Sequence, residues 1–142
     1  MKIAVSIDEP EKSSPISEIF GRCNSFLIYD REKKSIEFLT NPFSTEIGGA
    51  GIHTAKFLIE KNVDAVIVKN IGENPFRFLT SADIKIFLCK ENTALDAIRL
   101  FNDEKLTAAE IKDENLFPRR RRKRRNRGNA GNKFFNNKKR DL

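Results

Sequence analysis

Residues 48–76 read GGAGIHTAKFLIEKNVDAVIVKNIGENPF, and this stretch determines the class of fold. Apolar residues recur at helical spacing from Ile52 to Ile59, directly after a run of glycines. The compact apolar run at residues 64–68 predicts a buried strand, and Pro75 marks the start of a second short helix. Helices that connect neighbouring strands require those strands to be parallel, so the stretch predicts an α/β fold.

The other elements lie on both sides of this stretch. Residues 2–7 predict a buried first strand, and residues 25–29 and 35–40 flank a charged turn in the manner of a hairpin. A fifth strand is predicted at residues 84–88, followed by a helix that Thr93 caps. The order βββαβαβα predicts a five-stranded mixed sheet of order 3-2-1-4-5. Strand 2 alone is antiparallel and about three helices cover the sheet, as in the ribonuclease H-like motif.

The charge of the chain is divided between two regions. Residues 118–142 contain twelve Lys or Arg and one acid, out of 27 basic and 20 acidic residues in the chain. This tail therefore carries about +11 and residues 1–117 about −4, so the overall +7 does not indicate a basic groove in the folded part. We predict a domain at residues 1–105, a short extension at 106–117 and a disordered basic tail at 118–142. Residues 103–117 would form either a short amphipathic helix or an edge segment.

Cellular location and cysteine use follow from the same composition. No apolar run approaches the roughly 18–20 residues of a membrane helix, and the N-terminus enters a strand without a signal-peptide pattern. We therefore expect a cytoplasmic protein without a membrane partner. Cys23 and Cys89 are too few for a secreted disulfide scaffold and would be thiols in a reducing compartment.

Topology predicts where a ligand would bind. The C-terminal ends of parallel strands share one edge of a sheet, and ligands of open α/β sheets bind at that edge near a change in strand order. The segments that reach this edge hold most of the unusual local sequences: Ser6, Asp8, residues 20–23, residues 48–51, residues 70–72 and Cys89. This end of the sheet is therefore the candidate site.

Six short motifs along the chain resemble those of one family. They are MKIAV at 1–5, PISEIFGR at 15–22, NP at 41–42, GGAGI at 48–52, DAVI at 64–67 and IGENPF at 71–76. In this order they resemble the dinitrogenase iron-molybdenum cofactor biosynthesis domain family, which includes NifX-like proteins. The resemblance implies a ribonuclease H-like motif fold without nuclease chemistry. It also implies that the chain transiently binds or carries an iron–sulfur or iron–molybdenum cluster, or its precursor, between a donor and an acceptor protein.

Topology and resemblance together give the candidate cofactor-binding residues, which are Phe20, Gly21, Arg22, Cys23, Gly48, Gly49, Gly51, Asn70 and Gly72. Glycines before a helix offer free amides and the positive end of the helix dipole to an anion, and tight packing is an equally good reason for them. Cys23 is the candidate metal ligand, with Arg22 expected to lower its pKa. A small core thiol is the alternative interpretation of Cys23.

Three residues depart from the pattern of the family. Ile19 stands where members often have histidine, and Lys69-Asn70 replaces a frequent glycine pair. His53, the only histidine, is interpreted as an exposed residue of the first helix, and Cys89 as a core thiol. One histidine and few acids at the edge provide neither a nucleophile triad nor a two-metal site, so we expect no enzyme activity.

The basic tail supports an alternative function. The candidate nucleic-acid-binding residues are Arg119, Arg120, Arg121, Arg122, Lys123, Arg124, Arg125 and Arg127. Such arginine-rich segments bind RNA with strong salt dependence, which favours an RNA-associated adaptor with a degenerate cofactor site. A solubilising tail, or one that contacts an acidic partner or the domain itself, is a further interpretation. The sequence leaves open which cluster is carried, any link to nitrogen fixation, and the oligomeric state.

Overall fold

A computed structural model describes residues 1–90 and 93–109 of the chain. Its strands and helices, numbered along the chain, are β1 Lys2–Ile7, β2 Ser25–Asp30, β3 Ser35–Thr40, α1 Ala50–Glu60, β4 Ala65–Val68, α2 Glu73–Ser81, β5 Lys85–Leu88 and α3 Ala94–Asn102. The strands form one sheet of order β3-β2-β1-β4-β5, in which β2 is antiparallel to both neighbours and the pairs β1/β4 and β4/β5 are parallel. The predicted fold class is confirmed.

The two faces of the sheet are covered by different helices. Side chains of a strand alternate between faces, and Ile3, Val5 and Ile7 of β1 belong to a cluster that includes Ala97 and Phe101 of α3. The connections through α1 and α2 run in the same direction across the sheet, so right-handed crossovers place both helices on the opposite face. The central strands β1 and β4 are therefore buried on both sides.

Two details of the structure differ from the predictions, and a third decides between two predicted alternatives. Helix α2 begins at Glu73 rather than at Pro75, because the amide groups of a first turn have no acceptor within the helix and proline is tolerated there. A short 3₁₀ helix at Phe20–Arg22, which we call the 3₁₀ turn, was not predicted. Of the two alternatives for the extension, an edge segment is found in its described part, because Ala109 donates to the carbonyl of Ile86 at 2.7 Å.

Other sequence predictions concern parts of the chain that the structure does not describe. The basic tail and residues 110–117 lie outside the described residues, so the boundaries of domain, extension and tail stay predictions. Within residues 1–90 and 93–109, no helix is both long enough and apolar enough to cross a membrane.

The predicted N-cap of α3 is present, and its contribution to stability can be tested. The Thr93 side chain accepts a hydrogen bond from the amide of Asp96 at 3.2 Å. We expect Thr93→Ala to lower the free energy of unfolding by about 1 kcal/mol in urea titrations, because the first turn loses its cap. Thr80→Ala is the control, because that hydroxyl donates to the carbonyl of Arg77 within α2 and caps no helix end. Equal losses in the two variants would contradict the assignment of the cap.

Candidate functional site

The 3₁₀ turn packs directly against the first turn of α1. A Cβ added to Gly21 would lie 2.7 Å from both the Cα and the nitrogen of Gly51. A Cβ added to Gly51 would in turn lie 3.0 Å from Cγ of Pro75 in α2. Tight packing is therefore the role of these two glycines, and it joins three elements at the predicted edge of the sheet.

Gly48 and Gly49, which we call the glycine turn, have a different environment. Both are exposed and left-handed, with φ of +73° and +75°, and no atom lies within 4 Å of a Cβ placed on Gly48. Gly49 precedes α1 as its N-cap and provides no side-chain cap. Because the first N–H groups of a helix lack intrahelical acceptors, the glycine turn leads into a set of amides suited to an anion.

Arg22 connects the 3₁₀ turn to the loop before α1. Its Nη1 donates to the carbonyl of Ser44 at 3.3 Å and to the carbonyl of Glu46 at 2.5 Å. The arginine is exposed, so its charge is also presented to solvent close to the glycine turn. Ile47, between Glu46 and the glycine turn, is 98% exposed. Arg22 thus both positions this loop and contributes positive charge beside it.

A buried asparagine holds the site together, and the sequence predictions did not assign it a role. The Nδ2 of Asn41 donates to the carbonyl of Cys23 at 2.9 Å, while its Oδ1 accepts from the amide of Phe43 at 3.1 Å and from the hydroxyl of Thr54 at 3.3 Å. One side chain therefore links the end of β3, the segment after the 3₁₀ turn, and α1. The Asn-Pro pair indicated only that a strand ends there.

Cys23 is fully buried, and the expectation that Arg22 lowers its pKa is wrong. Burial raises the pKa of the Cys23 thiol to about 12, although a hydrogen bond from Asn41 opposes the shift. The Arg22 guanidinium bonds to the loop carbonyls of residues 44 and 46, and the cost of desolvating a thiolate dominates. The structure therefore favours the alternative interpretation, a core thiol, in this conformation.

This shift predicts a dependence of stability on pH. In the unfolded chain the thiol has its ordinary pKa of 9.0, whereas in the folded chain its pKa is about 12 and it stays protonated up to that pH. The unfolded state thus binds fewer protons in this range, so the contribution of Cys23 is complete below pH 9 and is lost as the pH rises toward 12. We expect urea titrations to show a steeper loss of stability above pH 9 for the wild type than for Cys23→Ala. Parallel curves would contradict the raised pKa.

The loop between β1 and β2 is fastened to the turn between β4 and α2. Asn70 donates through Nδ2 to the carbonyl of Glu18 at 3.0 Å, and its own carbonyl accepts from the amide of Phe20 at 3.1 Å. Lys69 forms an ion pair with Glu18 at 3.3 Å. Lys69 and Asn70, which follow β4 and depart from the family pattern, therefore hold the segment that carries the third such residue, Ile19, which is 56% exposed.

His53 is more than an exposed helical residue. Its Nδ1 pairs with Oε1 of Glu46, and its ring lies 5.4 Å from that of Phe43. The side chain is 46% exposed. No pattern in the sequence indicates this pair, because a helix residue and a loop residue seven positions apart have no periodic relation.

The remaining candidate residues differ in how far they are exposed to solvent. Phe20 is a core residue, with its ring 5.9 Å from that of Phe26, and Cys89 is buried just after β5, as predicted for a core thiol. Gly72 is exposed and precedes α2 as its N-cap. Among the described residues, no group of three or more His, Cys, Asp or Glu side chains is arranged to hold a metal ion. The arginine-rich candidates of the tail lie outside the described residues.

Comparison with known proteins connects this edge to a family. The sequence profile described as dinitrogenase iron-molybdenum cofactor matches residues 1–104. The chain belongs to this family. Membership in the dinitrogenase iron-molybdenum cofactor family confirms the resemblance drawn from the six motifs and marks the chain as a NifX-like, cofactor-associated protein.

Three proteins are similar to this chain, one by its sequence and two also by their solved structures. An uncharacterized protein of Methanocaldococcus jannaschii is 30% identical over 109 residues, which are 75% of this chain and 89% of that protein. The apo form of the orange protein from Desulfovibrio gigas is 27% identical, with a TM-score of 0.73 over 76% of this chain and 92% of that one. A Thermotoga protein named as a candidate NifB protein is 29% identical, with a TM-score of 0.68 over 75% and 91% of the two chains.

Proposed function

We propose that this chain is a non-enzymatic carrier of an anionic metal–sulfur cluster, of the iron–sulfur or iron–molybdenum type, or of its precursor. The cluster is cargo that a donor protein supplies and an acceptor protein removes. Membership in the dinitrogenase iron-molybdenum cofactor family supports the class of cargo. The likeness to an orange protein that exists in an apo form supports a chain that folds without its cargo.

The observation that carries the proposal is the exposed glycine turn that leads into α1. The glycine turn leaves the helix without a side-chain cap, so the first-turn amides and the positive end of the helix dipole are available to an anion instead of being capped by a serine or aspartate. Arg22 adds a positive charge from the neighbouring 3₁₀ turn. Hydrogen bonds to an anion are roughly twice as strong as those between neutral groups, so a few amides can hold a charged cluster.

The metal-ligating side chains at this edge determine how the cargo is held. Cys23 is buried and protonated, and the described residues contain no cluster of three metal-ligating side chains. A cargo at this edge therefore keeps its own sulfide ligands and is held mainly by amides and charge. Such a mode of binding suits a carrier, because a cluster without several protein thiolates can be released to another protein.

Anaerobic reconstitution with iron and sulfide tests the proposal. After removal of unbound metal, we expect the wild type to retain stoichiometric iron and sulfide with visible charge-transfer absorption. A wild-type chain that retains no metal would contradict the carrier function.

Cys23→Ser in the same assay decides between the two interpretations of the thiol. We expect uptake equal to the wild type, because the thiol lies in the core. If uptake is lost while the variant remains folded by circular dichroism, Cys23 is a ligand that becomes exposed when the cargo binds.

A second candidate function rests on the sequence of the tail. We propose that the eight basic residues at positions 119–125 and 127 bind RNA, since they can neutralise several phosphates. The full chain should bind single-stranded RNA with an affinity that falls steeply as salt rises, and a chain ending at residue 117 should not. Equal RNA binding by both chains, or none by either, would contradict this function of the tail.

A further inference from the structure

We propose that His53 ligates a metal of the cargo through Nε2, and that Glu46 is the positioning residue that prepares this nitrogen. The inference rests on the proposed carrier function and adds to it a ligand that the sequence did not indicate. It replaces Cys23 by an imidazole as the protein ligand at the edge of the sheet.

The hydrogen bond between the two side chains determines which ring nitrogen is available. Oε1 of Glu46 faces Nδ1 of His53, and a carboxylate can only accept a hydrogen bond. Nδ1 therefore carries the proton, and in the neutral imidazole Nε2 has the free lone pair. A histidine whose other ring nitrogen donates to a carboxylate is the usual arrangement of a metal ligand, because the carboxylate fixes the tautomer and raises the basicity of the ligating nitrogen.

The imidazole ring of His53 is also held beside the glycine turn. Cε1 of His53 lies 3.8 Å from a Cβ placed on Gly49, so the side of the ring that joins Nδ1 to Nε2 borders the glycine turn. Phe43 packs against the ring at 5.4 Å between centroids. With 46% of the side chain exposed, the ring is restrained by two neighbours and still open to solvent.

The anion-binding groups and the imidazole would bind different parts of the cluster. First-turn amides of α1 and the charge of Arg22 attract the anionic sulfide face of a cluster, while a neutral imidazole binds one of its iron ions. One protein ligand adds selectivity for a metal-containing anion over phosphate or sulfate. It also leaves the cluster few bonds to break on transfer.

Nuclear magnetic resonance of the only imidazole in the chain tests the ligand directly. Long-range ¹H–¹⁵N spectra of the full chain contain a single histidine pattern, and we expect the tautomer with a protonated Nδ1. Titration with Zn²⁺ as the probe should shift Nε2, and Glu46→Gln should weaken zinc binding by about tenfold. Glu60→Gln, which removes the same charge at the end of α1, should leave zinc binding unchanged. Coordination through Nδ1, no zinc binding, or equal effects of the two substitutions would overturn the proposal.

The iron–sulfide assay separates this inference from the proposed function. With cluster bound, pulsed electron paramagnetic resonance should detect the large ¹⁴N coupling of a directly ligated imidazole, which is absent in His53→Ala, and that variant should retain less metal. If the wild type binds cluster without this imidazole coupling, the role of His53 is overturned and the carrier function stands. If the wild type binds no cluster, the carrier function is overturned, and the zinc titration decides whether His53 is a metal ligand.

Discussion

Gly21→Ala is expected to lower the free energy of unfolding by about 2–3 kcal/mol, the upper range for overpacking a tight contact. The added methyl would lie 2.7 Å from two backbone atoms of Gly51, a distance that real Cβ contacts essentially never show. Neither backbone can yield without moving the 3₁₀ turn away from α1. Because Arg22 and the start of α1 approach each other through this contact, we expect cluster uptake to fall together with stability.

Gly72→Ala is the matched control for this result. Gly72 has an extended backbone, and a Cβ there would meet Pro75 at an ordinary 3.6 Å. We expect a change below about 1 kcal/mol in urea titrations, as for surface substitutions that need no special backbone. Equal stability of the two variants would show that the contact between Gly21 and Gly51 is not a constraint of the fold.

Asn41→Ala is expected to cost about 3 kcal/mol, because it leaves several buried polar groups without their partner at once. The carbonyl of Cys23, the amide of Phe43 and the hydroxyl of Thr54 all lose a hydrogen bond to this side chain. The segment after the 3₁₀ turn and the loop before α1 would both loosen. We therefore expect urea titrations to show a lower midpoint, and cluster uptake to decrease.

Asn24→Ala provides the comparison for Asn41. The Asn24 side chain is exposed and, within the described part of the chain, makes one hydrogen bond, to the carbonyl of Asp8 at 3.1 Å. Its loss should cost under about 1 kcal/mol, since water can replace the bond. A similar loss in the two variants would contradict the view that Asn41 organises the site.

The sequence predicted the fold well, because the fold depends on local periodicity and on topology. The apolar runs of β1 and β4 and the helical spacing of α1 are readable without tertiary information, and the handedness of crossovers leaves few ways to arrange them. The errors were at boundaries. Helix α2 begins two residues before Pro75, because proline is acceptable anywhere in a first turn that lacks internal hydrogen bonds.

For the candidate site, the sequence predicted which segments meet at one edge of the sheet, but not the contacts that their side chains make there. Topology brought the 3₁₀ turn, α1 and Asn70 to one edge, as expected. The burial of Cys23 and the pairing of His53 with Glu46 depend on contacts between segments distant in sequence, which no periodic pattern encodes. A cysteine next to an arginine in sequence suggests a reactive thiol. The pKa of Cys23 is instead raised by its burial among core atoms.

The amide group of Ile52 provides a direct test of the central claim that first-turn amides of α1 hold the cargo. His53 is the first residue whose amide bonds back within this helix, to Gly49, so the amide of Ile52 has no intrahelical acceptor. Ile52→Pro removes this N–H from a position where proline is tolerated, as Pro75 is at the third residue of α2. Ile52→Ala shortens the same side chain and keeps the amide.

The measurement is the equilibrium titration of both variants with cluster formed from iron and sulfide. A charged hydrogen bond contributes about 1.5–3 kcal/mol, so we expect Ile52→Pro to bind at least about tenfold more weakly than Ile52→Ala, with both chains folded. Equal affinity of the two variants would contradict the account, because the cargo would then be held without the amides of α1.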